Sequence, residues 1–132
     1  MKKFYEPLPQ ETEDIATKVY NAALRVHKTL GPGLLERVYE VCLCHEMGKK
    51  GLSIQSQMNV PIVYDGIEFE EGYRIEVLVE DQIILELKAA DKYNPVWQAQ
   101  VLSYLKVTGK RLGIIINFNV PLLKDGVQRV IL

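Results

Sequence analysis

The chain has only two cysteines and one tryptophan in 132 residues. Cys42 and Cys44 stand two apart in a predicted helix, on roughly opposite sides. They suit neither a mutual disulfide nor a zinc site, and a reduced, cytoplasmic compartment is the expectation. No apolar run approaches the roughly 20 residues that cross a bilayer. Met1–Pro7 has no apolar signal core, so no membrane partner is expected. Charge of one sign is missing too: 16 basic residues face 17 acidic ones, for a net charge of −1. Any polyanion must therefore be held by a local patch and not by a global field.

What is present is ordinary for a globular protein: 48% hydrophobic and 25% charged residues. The length suits one domain over 1–132, with a core from about residue 12. Thr12 is a plausible N-cap for a first helix running to Leu30, with Ile15, Val19, Ala22, Ala23, Val26 and Leu30 on one stripe. Gly31-Pro32-Gly33 stops it. A second helix runs from near Leu34 to Lys49, with Leu35, Val38, Tyr39, Cys42, Leu43 and Met47 as its apolar side and Glu36 in its first turn. The period then changes to two. Ser53–Tyr64 reads as a strand with an edge position or bulge at Pro61, and Asp65-Gly66 as a hairpin turn. The return strand bends at Glu70-Glu71-Gly72, then places Tyr73, Ile75, Val77 and Val79 on one face and Arg74, Glu76 and Leu78 on the other.

The next strand, Ile83–Ala89, contains Ile84-Leu85-Glu86-Leu87-Lys88-Ala89. Glu86 and Lys88 point the same way, and charges in an apolar strand are costly unless paired or bound to a cation. Aligning the apolar faces sets Val79 against Ile83, Val77 against Leu85 and Ile75 against Leu87, which places Glu76 opposite Glu86. Opposed carboxylates repel, so they share a proton or a cation. Glu76, Glu86 and the carbonyl of Leu87 offer the oxygen ligands that Mg²⁺ or Mn²⁺ takes. Lys88 can position a water or offset developing charge, Glu36 can supply a further ligand, and Gln100 can hydrogen-bond substrate or water. Asn94-Pro95 opens a third helix to Val107, capped by Gly109. Leu112–Phe118 reads as a parallel strand buried on both faces, and Val127–Leu132 as an added edge strand. The order α-α-β-β-β-α-β-β describes a mixed β-sheet flanked by helices, in the α/β (α+β) class.

Gly33-Leu34-Leu35-Glu36-Arg37-Val38-Tyr39 reads G-x-x-E-x-x-Y. Together with His27–Gly33, Gly72-Tyr73-Arg74, Glu86-Leu87-Lys88-Ala89, Ala99–Leu105 and Ile116-Asn117-Phe118, it makes residues 14–131 resemble the GxxExxY proteins. These are small bacterial and archaeal proteins of the PD-(D/E)XK nuclease superfamily. The resemblance implies the nuclease core, with Glu36 as the helix acid, Glu86 as metal ligand, Lys88 as catalytic lysine and Gln100 as the helix glutamine. It departs at two places: Glu76 stands where the family usually has Asp, and Trp97-Gln98 where a His-Glu pair is expected.

Two functions follow from these residues. One is a metal-dependent nuclease or phosphodiesterase acting on DNA or RNA. The other is a nuclease-fold nucleic-acid-binding or assembly module with little catalysis, which would form a homodimer. Basic candidates for nucleic-acid contact are Lys49, Lys50, Lys88, Lys92, Lys106, Lys110 and Arg111.

Overall fold

The computed structural model describes residues 6–132, so the first five residues of the polar lead-in lie outside the described residues. Three helices, α1 (Gln10–Leu30), α2 (Glu36–Lys49) and α3 (Val96–Thr108), accompany five strands. The strands are β1 (Ile54–Tyr64), β2 (Ile67–Val79), β3 (Ile83–Lys88), β4 (Leu112–Asn117) and β5 (Val127–Ile131). They form one sheet in the order β1-β2-β3-β4-β5. Only β3 and β4 run parallel. A parallel pair needs a long crossover, and α3 supplies it. The element order and mixed sheet agree with the sequence pattern.

Alternation along the central strands builds two cores. Ile83, Leu85 and Leu87 of β3 and Leu112, Ile114 and Ile116 of β4 pack with α1 and α2. Ile84 and Ile115 pack on the other face with Trp97, Val101, Tyr104 and Leu105 of α3. This is why β4 is apolar at almost every position: both of its faces are covered. Gly113 has no side chain because a Cβ there would run into Val101 of α3. Glu86 and Lys88 share the parity of Ile84 and so belong to the α3 face.

Several boundaries differ from expectation. α1 begins at Gln10, after Pro9, so Thr12 is no cap. Its hydroxyl instead donates to Oε1 of Gln82 at 2.7 Å. Leu30, at the end of α1, is exposed where its stripe predicts burial, and so are Leu35 and Val38, because α2 turns only Tyr39, Glu40, Leu43 and Met47 fully inward. His27 is buried and structural, with Nε2 2.7 Å from the carbonyl of Val120. Asp65 and Gly66 both take positive φ in the hairpin turn, closing the pair Tyr64–Ile67. Glu70, Glu71 and Gly72 together span the single Pro61, since Ile62 pairs with Phe69 and Val60 with Tyr73. Asn94 does cap α3, its Oδ1 accepting the Val96 N–H at 3.0 Å.

The predicted faces of β2 need correction. Val77 and Val79 join the α1–α2 core, but Tyr73 and Ile75 pack on the α3 side. The strand changes face at Glu76. The β1–β2 ladder skips the pair Gln57–Glu76 there, and Gln57 adopts a left-handed φ of 56°. An irregular residue in a ladder re-aims the side chains beyond it.

Candidate active site

The β2–β3 ladder holds the expected register at Val79–Ile83, Leu78–Ile84 and Val77–Leu85, then stops. The expected pairs Ile75–Leu87 and Glu76–Glu86 are not ladder partners. The strands part, and the Glu76 carboxylate fills the gap by accepting the Leu87 N–H at 3.1 Å. On a strand the N–H and C=O of one residue face the same neighbour. The Leu87 carbonyl therefore also faces this gap, while the Lys88 carbonyl faces away and accepts the Phe118 N–H. The two glutamates meet through their side chains, not through the backbone ladder.

The gap widens into a cleft of about 660 Å³ that brings together Glu36, Glu76, Glu86, Lys88 and Gln100. Glu36 is the first residue of α2, aimed across from the helix layer. Glu86 is 3% exposed and Glu76 half-buried. Burial pushes Glu76 up to about 7, reinforced by the charge of Glu86 and a hydrogen bond between the two carboxyls. Glu36 also rises to about 7, through partial burial and then the charge and hydrogen bond of Glu76. Glu86 is raised chiefly by burial, against the opposing pull of Glu76's hydrogen bond and Lys88's charge. Acids from three elements are thus all raised above the ordinary carboxyl range, Glu36 and Glu76 to about 7.

Five further groups line the cleft that the sequence pattern assigned no chemistry: Tyr104, Glu40, Gln57, Arg37 and Arg74. Tyr104 lies one turn beyond Gln100, and this i, i+4 spacing was the available signal. Burial and then the charges of Glu86 and Glu76 push its phenol up to about 12, so it stays a donor. Glu40 is the next acid along α2. It is buried, with Oε2 2.9 Å from Nη1 of Arg37 and Oε1 accepting from Nε2 of Gln57 at 2.7 Å. That bond holds the irregular Gln57 beside Glu76, so the α2 acid helps to shape the β2 bend. Arg37 and Arg74 add positive charge to the rim.

Three of the seven expected basic residues are engaged elsewhere. Lys110 pairs with Asp81 and Lys49 with Glu46, each at 3.1 Å. Arg111 donates to the carbonyls of Glu6, Pro7 and Leu132, tying down the chain ends. Lys88 is the one member of that set that lines the cleft.

Glu36 owes its position to Tyr39. The Tyr39 hydroxyl donates to the Gly31 carbonyl at 2.6 Å and accepts the Leu34 N–H at 3.1 Å. Its ring stacks on Phe118 with centroids 4.6 Å apart. The turn preceding Glu36 is thereby pinned to the core. Tyr39→Phe keeps the stack and removes both hydrogen bonds. It is expected to cost about 1–3 kcal/mol, measured by urea denaturation. An unchanged midpoint would show that the turn is held by other contacts.

Among the described residues no three His, Cys, Asp or Glu side chains form a ready-made metal cage. The donor set nevertheless fits a hard divalent cation. It consists of carboxylates and a carbonyl without imidazole or thiolate, and Mg²⁺ is commonly held by one or two carboxylates with water and phosphate oxygens completing the shell. The repelling acids supply the charge such an ion would neutralise. Comparison with known proteins gives one match. The family profile described as the PD-(D/E)XK nuclease superfamily covers residues 13–130. No curated protein and no solved structure matches significantly.

Proposed function

Because the chain belongs to the PD-(D/E)XK nuclease superfamily, we propose that it hydrolyses phosphodiester bonds in nucleic acid with the help of Mg²⁺ or Mn²⁺. Nucleases of this superfamily generally use divalent metals. The observation that carries the reading is the meeting of Glu36, Glu76 and Glu86 beside Lys88 in one cleft. Such a cluster is unfavourable as an isolated group of charges and favourable around a cation.

Glu76, Glu86 and the Leu87 carbonyl would hold the ion, and Glu36 an additional water or ion. The bound cation supplies charge neutralisation at the phosphate and a lower pKa for a ligating water. Lys88 orients the attacking water and offsets charge on the phosphoryl oxygens. Water oxygen bonds to phosphorus as the ester P–O bond breaks; the attacking water gives up one proton and the leaving oxygen takes one up. Gln100 and the protonated Tyr104 orient water and phosphate by hydrogen bonding. Arg37 and Arg74 attract the polyanion, and their contribution should weaken with salt.

The test is cleavage of single- and double-stranded DNA and RNA by the purified protein in Mg²⁺ and in Mn²⁺. Cleavage that EDTA abolishes and fresh metal restores is expected. Inertness towards every substrate in both metals overturns the catalytic reading. A binding or assembly module without catalysis is favoured by one feature: Glu76 already commits an oxygen to the Leu87 N–H. Tight, stoichiometric Mn²⁺ binding in calorimetry would count against that alternative.

A further inference from the structure

Beyond the cleft, Lys88 leads to a second cavity. Its Nζ lies 5.6 Å from the centroid of the Trp97 ring. Trp97 in turn lines a cavity of about 430 Å³ with Tyr93, Asp91, Asn117, Asp125 and Gln128. Tyr93 is 49% exposed. It is not loose. It packs edge-to-face on Trp97, centroids 5.5 Å apart, just before the capped start of α3. An exposed ring on a rigid support is a stacking surface.

The polar groups of this cavity differ from those of the cleft. Asn117 is fully engaged with the backbone of Ala90 and Asn119, and so serves as structure. Asp91 accepts from Asn119 at one oxygen, and Gln128 donates its amide to Gln98. The lining side chains that keep acceptor oxygens outside these bonds are Asp91, Asp125 and Gln128. Carboxylates repel phosphate, so the sugar–phosphate backbone is excluded here. They accept hydrogen bonds from the ring and exocyclic N–H groups of a nucleobase. An aromatic wall with acceptors opposite, and no cation inside, is chemistry for a flat N–H-bearing heterocycle.

We propose that this cavity receives one unpaired nucleobase, stacked on Tyr93 and floored by Trp97, of the strand whose phosphate lies at Lys88. The proposal rests on the nuclease reading for its substrate class. It deepens that reading: a base enters the cavity only from a single strand or after flipping out of a duplex. Lys88 then links the two subsites, facing carboxylates on one side and the Trp97 ring on the other.

Trp97 is the only tryptophan in the chain, so tryptophan fluorescence comes from the wall of this cavity, and the abasic strand controls for events at Lys88 on its other side. The protein is titrated in Ca²⁺, a hard cation with the same oxygen preference. The probes are a short single-stranded DNA and a strand of the same length made wholly of abasic residues. Quenching by the base-bearing strand and none by the abasic strand is expected. Tyr93→Ala should weaken binding of the base-bearing strand roughly 5- to 100-fold, the range for loss of one base stack. Tyr93→Phe should restore it. Equal quenching by both strands, or unchanged affinity in Tyr93→Ala, overturns the proposal. Cleavage of single- and double-stranded DNA and RNA in Mg²⁺ and in Mn²⁺ is followed in parallel. Base-dependent quenching by a protein that cleaves none of them in either metal would sink the nuclease reading and leave the base subsite standing. Cleavage without base-dependent quenching would do the reverse.

Discussion

Lys88→Ala is expected to lower the rate of cleavage by about 100- to 1,000-fold, the usual effect of removing one charge-stabilising donor from an active site. The fold should survive. The ammonium lines an open cleft, and no ion pair of Lys88 appears among the described residues. What is lost structurally is the contact with the Trp97 ring, about 0.5–1 kcal/mol for a partly exposed pair. Circular dichroism and the melting temperature should stay near wild type while activity falls. The variant also removes the cation that opposes protonation of Glu36, Glu76 and Glu86. Its residual activity should therefore shift to higher pH, because these acids lose their protons less readily without it. A variant as active as wild type, with an unshifted pH profile, would remove Lys88 from the mechanism.

Much of this site was readable because it depends on periodicity. Alternation put Glu86 and Lys88 on one face, and the apolar register brought β2 and β3 into the pairing seen at Val77–Leu85. The register then failed at the place where function enters. A regular ladder would have set Glu76 and Glu86 across from each other and sealed the cleft. Instead the strands part, Glu76 replaces a backbone acceptor for Leu87, and Gln57 takes a left-handed conformation beside it. No local pattern announces these features, because they come from tertiary contact. The Glu40 carboxylate that holds Gln57 arrives from a helix 17 positions earlier. The pairing of individual cations was hidden for a related reason: a lysine's sequence does not reveal whether an aspartate such as Asp81 stands within reach. Tyr104 shares the packing face of α3 with Trp97, Val101 and Leu105, and the same buried residue also lines the cleft.

The acid cluster makes the metal-free protein less stable as the pH rises, and Glu86→Gln should relieve this. Glu36 and Glu76 bind protons up to about pH 7 in the folded chain, against 4.5 for the ordinary group. Between those values the folded state holds more protons than the unfolded state. Stability therefore falls as pH rises through this window, and the full penalty is present above pH 7. One pKa unit is about 1.4 kcal/mol, but Glu36 is exposed and Glu76 only half-buried, so solvent screening reduces the sum to roughly 1–3 kcal/mol. In EDTA the wild type should melt several degrees lower at pH 8 than at pH 5.5, at about 3–5 °C per kcal/mol for this size. Glu86→Gln removes the charge that raises Glu76 and leaves an amide that donates to it. It should raise the pH 8 melting temperature in EDTA and flatten the pH dependence. Magnesium should do for the wild type what the substitution does without metal, by binding only the folded state. The variant, having lost a ligand, should respond little. The pairing of the two results is what discriminates. A simple surface ion pair between Glu86 and Lys88 predicts slight destabilisation on Glu86→Gln and no metal response. A cluster built to hold a cation predicts that the change which most stabilises the empty protein also abolishes its stabilisation by metal.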